Sequence, residues 1–185
     1  MILPIYAYGQ PVLRKKSLPI NKDYPNLGQL IDDMYETMYS AKGVGLAAPQ
    51  IGRDIRLFVM DTIQLDKKNG TATGIKKVFI NAERIEESGE PWLYEEGCLS
   101  IPDVHAEIER QSLIRLRYLD TEWNEHLETF EGVNGRVIQH EYDHIEGILF
   151  IDRMKPLKRR MINRRLEKIK KGIVDVNHPM RFLKL

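Results

Sequence analysis

The stretch V-N-G-R-V-I-Q-H-E-Y-D-H-I, residues 133–145, decides how the rest of the chain is interpreted. Its apolar side chains return at helical spacing, and its two histidines fall on the same side. The residues on or near that face are Val133, Val137, His140, Glu141 and His144. The spacing therefore predicts a helix over residues 133–145 that carries ionisable groups among its apolar ones.

Within this helix, residues 140–144 form the pattern H-E-x-x-H. At about 100° per residue, His140 and His144 lie roughly 40° apart on adjacent turns, close enough for both imidazoles to bind one metal ion. Glu141 projects beside them, where a carboxylate can take a proton from a water whose pKa the ion has lowered and pass it to a leaving amine. The pattern predicts a metal-dependent hydrolase, against the alternative that two histidines four residues apart coincide on a core helix.

Two imidazoles do not complete such a site, so the third ligand decides the class of enzyme. The long metzincin pattern needs a histidine six residues after His144, where this chain has Phe150, and that class is excluded. A downstream glutamate, as in thermolysin-like proteases, would have to be Glu146 or Glu167. Glu146 is too close along the helix and Glu167 belongs to a basic terminal helix, so both are weak candidates.

Cys98 is the better candidate for the third ligand. It lies in the segment E-E-G-C-L-S, residues 95–100, where Gly97 lets the backbone approach a metal and the cation would stabilise a thiolate. As the single cysteine it cannot form an internal disulfide, which is typical of a reducing compartment. A buried small hydrophobic residue is the alternative interpretation.

A third segment, G-V-G-L-A-A-P-Q at residues 43–50, combines small residues with one amide side chain. Glycine and alanine leave backbone N–H and C=O groups open to a peptide-like ligand. Gln50 could donate a hydrogen bond to a developing oxyanion. The segment lacks the Lys-Ser/Thr of a phosphate loop, and a plain connecting turn is the alternative.

Helices are also predicted near both ends of the chain. Apolar residues recur at three- and four-residue spacing between Pro25 and Gly43, where Gly43 would end the helix. A basic helix is predicted over residues 156–171. Runs rich in β-branched and apolar residues predict strands between these helices, separated by loops. The predicted strands are residues 55–60, 77–80 and 112–119, and one such loop is residues 67–74.

The order helix, strands, helix, helix predicts an α+β fold, because alternating βα units are missing. We expect mostly antiparallel β-strands packed around the central metal-binding helix, with an N-terminal helix and a C-terminal basic helix. Since two halves of a 185-residue chain would each have a marginal core, residues 1–185 are expected to form one domain. Residues 154–185 would be its basic helix and tail.

Charge is distributed unevenly along the chain. Residues 1–152 carry 16 Lys+Arg against 25 Asp+Glu, a net charge of −9, whereas residues 153–185 carry 12 against 2, a net charge of +10. The composition, 42% apolar and 30% charged, is that of a globular protein. No run reaches 18 apolar residues and the N-terminus lacks a basic start before an apolar stretch, so a cytoplasmic protein without membrane association is expected.

Taken together and in this order, the three segments resemble the peptide deformylase family. The family motifs G-x-G-x-A-A-x-Q, E-G-C-x-S and Q-H-E-x-D-H are complete here at residues 43–50, 96–100 and 139–144. The resemblance extends from about the L-R-K segment at residues 13–15 to the terminal helix. It implies hydrolysis of the N-formyl group from the initiator methionine of new bacterial polypeptides, with release of formate and N-formyl-methionyl nascent peptides as substrates.

The resemblance also implies a role for each matching residue. The metal would be one divalent ion per chain, Fe²⁺ in the cell with Zn²⁺, Ni²⁺ or Co²⁺ as substitutes, and water would fill its fourth position. The implied ligands are Cys98, His140 and His144. Glu141 would act as general base and then acid, and Gln50 and the backbone N–H of Leu99 would stabilise the oxyanion. The implied substrate contacts are Gly43, Val44 and Gly45 for the peptide main chain, and Val133 and Val137 for the methionine side chain.

Residues behind the metal also match the family, with one departure nearby. Arg110 and Asp143 match positions that tend to pair, and together with Glu96 they are expected to orient the site. Many relatives carry an arginine seven residues after the metal-binding cysteine, where it can meet the peptide, but this chain has His105 there. Peptide contacts are therefore expected to differ while the chemistry is unchanged.

The basic tail suggests a partner. Some bacterial deformylases use a C-terminal basic helix to dock near the ribosome exit, so the ribosome is a hypothetical partner here, whereas specific DNA binding is not expected. A surface helix with solvated charges is the alternative. Two competing functions are a zinc peptidase that cuts internal peptide bonds and a ribosome-binding protein without catalysis. The second is not favoured, because the residues for catalysis are all present.

Overall fold

The computed structural model describes residues 1–69 and 73–183. Strands occupy the middle of the chain and helices flank them. The helices are α1 (Leu27–Ser40), α2 (Ile63–Asn69), α3 (Gly132–Ile145), α4 (Pro156–Met161) and α5 (Asn163–Lys170). The strands are β1 (Ile5–Tyr6), β2 (Gly45–Ala47), β3 (Leu57–Asp61), β4 (Lys76–Ser88), β5 (Trp92–Cys98), β6 (Ile101–Arg110), β7 (Leu113–Leu119), β8 (Glu125–Glu131) and β9 (Met180–Arg181). Short 3₁₀ helices occupy Pro11–Arg14, Ala48–Ile51 and Phe150–Arg153.

A five-stranded antiparallel sheet, in the order β2-β3-β4-β7-β8, separates α1 from α3. Successive residues of β3 point to opposite faces. Phe58 and Met60 belong to the apolar cluster that includes residues of α3, whereas Leu57 and Val59 belong to the cluster that includes residues of α1. Burial on both faces explains why residues 57–60 of β3 form an uninterrupted apolar run. The predicted α+β class with mostly antiparallel strands is confirmed.

Helix α3 is the central helix of the fold, and the sequence predicted it to within one residue. Residues 135–145 are all buried, which is unusual for a stretch with so many polar side chains. Val137, Ile138 and Ile145 pack into the cluster shared with the sheet. The polar side chains of α3 must therefore find partners inside the protein, and these partners form the site described below.

Strands β5 and β6 form a separate antiparallel hairpin, which was not among the predicted strands. In β5 the one buried residue is Glu96, so the strand lacks the apolar alternation that marks a half-buried strand. Its register shifts between Gly97 and Cys98, at the turn into β6. Such an irregularity changes the direction of a side chain, and here the side chain is that of Cys98.

The other predicted boundaries are approximate. Helix α1 ends at Ser40, before Gly43, because Lys42 adopts the left-handed conformation (φ 57°) that ends it. Strand β4 extends well beyond the predicted residues 77–80, since its charged second half is held by pairing with β7 and not by apolar burial. Within the predicted loop at residues 67–74, α2 continues to Asn69, and residues 70–72 lie outside the described part of the chain.

The helix predicted over residues 156–171 is divided into α4 and α5. Asn163 begins α5, and its Oδ1 accepts a hydrogen bond from Arg159 Nη1 at 2.6 Å. Asparagine favours helix starts over helix interiors, because its short amide bonds to nearby groups. Leu166 and Ile169 are buried in the cluster that contains residues of β6, and the chain then returns as β9 to pair with β1 in parallel.

Among the residues that the structure describes, none of the helices has the length and apolar character needed to cross a membrane.

Candidate metal centre

Cys98, His140 and His144 converge where the β5–β6 turn packs against α3. One candidate ligand atom from each lies within 4.8 Å of the other two, and Cys98 Sγ is 3.3 Å from His144 Nε2. Ligands of one tetrahedral ion with bonds of roughly 2.0–2.3 Å lie about 3.5 Å apart, so these groups fit a single divalent ion after small adjustments. A thiolate with two imidazoles suits iron or zinc.

Glu96 orients the first histidine. Its Oε2 lies 3.0 Å from His140 Nδ1, which leaves Nε2 of that ring for a metal. Burial tends to raise the pKa of Glu96, but hydrogen bonds from Arg110 and His140 outweigh it and hold the pKa at about 2. Burial lowers the pKa of His144, which favours the neutral imidazole that a metal ligand requires.

Glu141 lies beside these ligands in a buried, tightly shaped position. A Cβ atom added to Gly45 would lie 2.8 Å from Glu141 Cδ, so only glycine leaves room for the carboxyl group at this point of β2. The Oε2 atom of Glu141 is buried and has no hydrogen-bond partner among the described residues. Burial raises the pKa of Glu141 to about 7, so the group can take up or release a proton near neutral pH.

Gln50 points an amide into the same region from the 3₁₀ helix at residues 48–51. Its Oε1 accepts a hydrogen bond from the Ala47 N–H at 2.8 Å, so the NH₂ group is the end that faces the site. Nε2 lies 3.5 Å from Cys98 Sγ and 3.3 Å from Ser100 Oγ. The side chain is 1% exposed, and its donor is therefore held in one orientation.

A cavity of about 410 Å³ opens over these groups. The residues predicted to contact substrate line this cavity, except for Val133. Val133 packs against the apolar cluster between α3 and the five-stranded sheet. Residues that the sequence did not single out line the cavity as well, among them Tyr94, Arg136 and His178. The predicted residues that line it are Gly43, Val44, Gly45, Gln50, Glu96, Cys98, Leu99, Val137, His140 and Glu141.

Arg136 ties the cysteine-bearing hairpin to the histidine-bearing helix. Its guanidinium donates to the backbone carbonyls of Trp92 and Ile108 at 2.8 and 2.7 Å, and lies over the Trp92 ring at 4.5 Å. The side chain is almost fully buried. A long cationic residue in a helix usually indicates a solvated face, so sequence reasoning had no signal for this role.

A network of buried ion pairs surrounds Arg110, next to the metal-ligand candidates. It contains Glu96 and Asp143, the residues that the resemblance placed beside Arg110. Arg110 donates to both carboxylate oxygens of Glu96, at 2.7 and 2.9 Å, and to Asp143 Oδ2 at 2.7 Å. Arg153 donates to the same Asp143 carboxylate at 2.6 Å. The network links β5, β6, α3 and the segment after it, so that each histidine-bearing turn is fixed relative to Cys98.

We expect Arg110→Met to lower the free energy of unfolding by about 3–5 kcal/mol, because Glu96 would lose its bidentate partner and Asp143 one of its two arginines, both in a buried setting. Arg117→Met is the matched control, since Arg117 and Glu83 form an exposed pair at 3.6 Å and its loss should cost about 1 kcal/mol or less. Urea unfolding of the two variants beside the unaltered chain measures both. Equal losses in the two variants would contradict this account of the network.

The alternative third ligands lie elsewhere. Glu146 pairs with Arg56 at 2.7 Å and with Lys16 at 3.2 Å, and Glu167 is exposed on α5. Neither belongs to the convergent group around the two histidines.

His105, which stands where many relatives have arginine, is exposed at the rim of the cavity. Its ring lies against the backbone of Gly97. A Cβ atom added to Gly97 would lie 2.7 Å from His105 Cδ2.

An H-E-x-x-H helix buried against a cysteine-bearing turn, with a carboxyl group and an amide donor on one cavity, defines a metal-dependent hydrolase. The chain belongs to the polypeptide deformylase family, whose profile, described as Polypeptide deformylase, matches residues 2–160. Members of the family depend on a metal ion and remove the N-formyl group from newly synthesised polypeptides.

Similar proteins support the same assignment. A peptide deformylase of Christiangramia forsetii is 51% identical over 189 aligned residues, which cover 98% of this chain and 96% of the relative. The crystal structure of a peptide deformylase from Thermus thermophilus is 38% identical with a TM-score of 0.82, covering 93% of this chain and 99% of the other. The crystal structure of a peptide deformylase from Legionella pneumophila is 39% identical with a TM-score of 0.80, and the match covers 94% of this chain and 98% of the other.

Proposed function

We propose that the chain deformylates N-formyl-methionyl nascent peptides in this cavity, with Cys98, His140 and His144 as the ligands of one divalent metal ion. The observation that carries the proposal is the convergence of these three groups within 4.8 Å beside the Glu141 carboxyl. A bound ion would polarise the formyl carbonyl and lower the pKa of a water molecule. We propose Fe²⁺ in the cell, with Zn²⁺, Ni²⁺ or Co²⁺ able to replace it.

Glu141 would transfer the proton. Its carboxylate takes a proton from the attacking water as the new C–O bond forms at the formyl carbon. It then gives that proton to the methionine nitrogen as the C–N bond breaks, so that formate and a free amino terminus leave. A pKa near 7 suits both halves of this cycle, since the group must gain and lose one proton in each turnover.

Gln50 and Leu99 would stabilise the oxyanion. Gln50 Oε1 accepts a hydrogen bond from the Ala47 N–H, which holds the NH₂ group of Gln50 toward Cys98, and the Leu99 N–H follows Cys98 directly in the chain. Two preorganised donors near the reacting carbonyl are the usual means of lowering the barrier to acyl transfer. Both residues line the cavity, so the donors need not move far to meet substrate.

The peptide would lie along β2, which is an edge strand of the five-stranded sheet. Backbone groups on the open side of an edge strand can pair with an extended peptide. Gly45 begins β2, and Gly43 and Val44 directly precede it, so these three residues would provide backbone at the start of the strand, beside Glu141. Val137 would contact the methionine side chain, and Val133 would support that pocket from the cluster behind it.

An assay for two products separates this function from that of a zinc peptidase. Freshly purified protein loaded with Fe²⁺ or Ni²⁺ is incubated with a formyl-methionyl peptide, and formate and internal cleavage products are measured together. Formate without internal cleavage supports the proposal. Internal cleavage would indicate a peptidase. The absence of both formate and internal cleavage products would support a ribosome-binding protein without catalysis.

We also propose that residues 1–185 act as one cytoplasmic domain, and that the basic face of residues 154–185 docks on the ribosome. Leu157 and Met161 of α4 are 72% and 77% exposed, which is high for apolar side chains on a helix. Exposed basic residues of α4, α5 and their flanking segments would be attracted to ribosomal RNA. These basic residues are Lys155, Lys158, Arg160, Arg164, Lys168 and Lys171.

Charge reversal tests the docking better than truncation, because a truncated chain would lose the buried Leu166 and Ile169 and strand β9. We expect a variant with Glu at positions 160, 164 and 168 to lose most co-sedimentation with ribosomes at low salt while formate release is unchanged. The control variant carries Glu in place of the exposed Lys22, Arg53 and Arg115. Equal co-sedimentation of both variants would refute the docking proposal.

A further inference from the structure

Gln64, which lies outside the three sequence motifs, is hydrogen-bonded to the segment that borders the cavity. It belongs to the first turn of α2, and its Nε2 donates to the carbonyls of Gly43 and Asp61, both at 2.9 Å. Since both partners are carbonyl oxygens, the NH₂ group is the end of the amide that faces them. One side chain thus bridges the end of β3 and the segment just before β2.

The segment that carries Gln64 is fastened to α3. Thr62 and Ile75 close its two ends, since the Thr62 N–H donates to the Ile75 carbonyl and the Ile75 N–H to Thr62 Oγ1, both at 2.9 Å. Thr62 Oγ1 also lies 2.5 Å from Asn134 Oδ1, and Asn134 Nδ2 donates to the Thr73 carbonyl at 2.8 Å. Gln64 therefore acts from a support that is attached to the helix carrying the two histidines.

Gly43 lies at a narrow point between two walls of the cavity. Its N–H donates to the Met38 carbonyl at 2.8 Å and its carbonyl accepts from Gln64, so its main chain is held from both sides. A Cβ atom added to Gly43 would lie 2.7 Å from Leu99 Cδ1, on the turn that follows Cys98. A shift of the Gly43 backbone would therefore change the spacing between the two walls.

The pairing of this segment with β3 turns the main chain of Gly45 toward the open side of the sheet. The Asp61 N–H donates to the Val44 carbonyl at 2.9 Å, so Val44 and Asp61 form a hydrogen-bonded pair. Such pairs alternate along antiparallel strands, so Gly45 and Met60 form a pair without mutual hydrogen bonds. The N–H and C=O of Gly45 thus point away from β3, where an extended peptide can pair with them.

Burial along the segment gives the direction of such a peptide. Residues 46–48 are fully buried, whereas Lys42 is exposed. With the formyl group beside Glu141, which contacts Gly45, the chain beyond the methionine must run toward Gly43 and solvent. The bond from Gln64 therefore acts where the second and third residues of the peptide lie.

We propose that Gln64 is a positioning residue for the peptide-binding strand, fixing Gly43 so that the main chain beside it is aligned with the peptide beyond its methionine. The proposal rests on the proposed function, in which this strand holds the substrate. A strand that is already ordered loses less conformational freedom when the peptide binds. Because this gain is the same for bound substrate and transition state, it affects KM and not kcat.

Two replacements of Gln64 separate hydrogen bonding from packing. Methionine keeps the length of the side chain but cannot donate, whereas lysine supplies donors at a similar reach. We expect Gln64→Met to raise KM for the tripeptide formyl-Met-Ala-Ser roughly tenfold, about the effect of one hydrogen bond, with kcat and metal content unchanged. Gln64→Lys should recover most of that loss. Gln29→Met, which removes an exposed glutamine of α1, should behave as the unaltered chain.

A shorter substrate distinguishes positioning from a general loss of structure. Formyl-methionine amide does not extend past Gly45 toward Gly43, so its KM should change less than about twofold in Gln64→Met. A destabilised fold would impair the turnover of both substrates. An equal rise in KM for both substrates, a fall in kcat alone, or the same loss with Lys as with Met would each overturn the proposal.

Hydrogen exchange at the Gly43 amide provides a readout that does not depend on activity. We expect exchange about tenfold faster in Gln64→Met than in the unaltered chain or in Gln64→Lys, because the Gly43 backbone is less restrained. Unchanged exchange in Gln64→Met would contradict the proposal. If the unaltered chain released no formate, the proposed function would fail, while the exchange rates would still decide whether Gln64 positions Gly43.

Discussion

Replacing Glu141 by alanine is expected to lower kcat/KM for a formyl-methionyl peptide by roughly 10²–10⁴-fold, the usual contribution of a positioned acid–base group. The carboxyl is buried beside the three candidate ligands, and its pKa near 7 allows both proton uptake and release. It is not itself part of the convergent ligand set, so metal content should stay near one ion per chain. Formate release and elemental analysis of the same preparation measure both quantities.

Two further variants make this result specific. Glu141→Gln keeps the size of the side chain but cannot act as a base, so it should be as impaired as Glu141→Ala if proton transfer is the cause. Glu131→Ala replaces an exposed glutamate just before α3 and should leave turnover unchanged. Activity within tenfold of the unaltered chain in both Glu141 variants would rule out the proposed proton transfer.

Replacing Cys98 by alanine is expected to abolish stoichiometric metal binding and, with it, formate release. Only the two imidazoles would remain of the three convergent groups, and a tight site needs at least three protein ligands. Loss of a residue that merely supports a ligand costs about 10–100-fold in metal affinity, so loss of a ligand should cost more than roughly 100-fold. Elemental analysis after dialysis, and competition with a chelator, measure the change.

Ser100→Ala is the control for this variant, since Ser100 is buried in the same turn but is not in the convergent group. It should retain metal, although its contact with Gln50 Nε2 at 3.3 Å would be lost. A full complement of metal in Cys98→Ala would disprove the ligand assignment. Loss of metal from both variants would indicate that the turn, and not the thiol, is what matters.

The elements with strong periodic patterns could be predicted from the sequence. Helix α3 was found because its apolar residues keep a 3.6-residue repeat, and β3 because it is apolar on both faces. The β5–β6 hairpin was missed because Glu96 and Arg110, which should mark exposed positions, are both buried in an ion pair. Burial of charge depends on a partner that is distant in the chain, and a local pattern does not contain it.

The metal ligands illustrate the same division. His140 and His144 share a helix, so their spacing alone indicated a common ion. Cys98 lies 42 residues away, and the sequence could rank it above Glu146 and Glu167 but could not bring it to the helix. The structure accounts for the difference, since Glu146 is paired with Arg56 while Cys98 Sγ lies 3.3 Å from His144.

The sequence by itself determined the central helix, the coarse order of helix, strands and further helices, the H-E-x-x-H pair and, through its motifs, the family, because each of these is encoded over short range by spacing and residue type. Only the tertiary structure decided where the C-terminal tail goes, that Val133 lies behind the cavity and that Arg136 and His178 line it. These facts depend on the packing of segments far apart in the chain. Such packing is selected by the free energy of the whole fold, which no single stretch of sequence expresses.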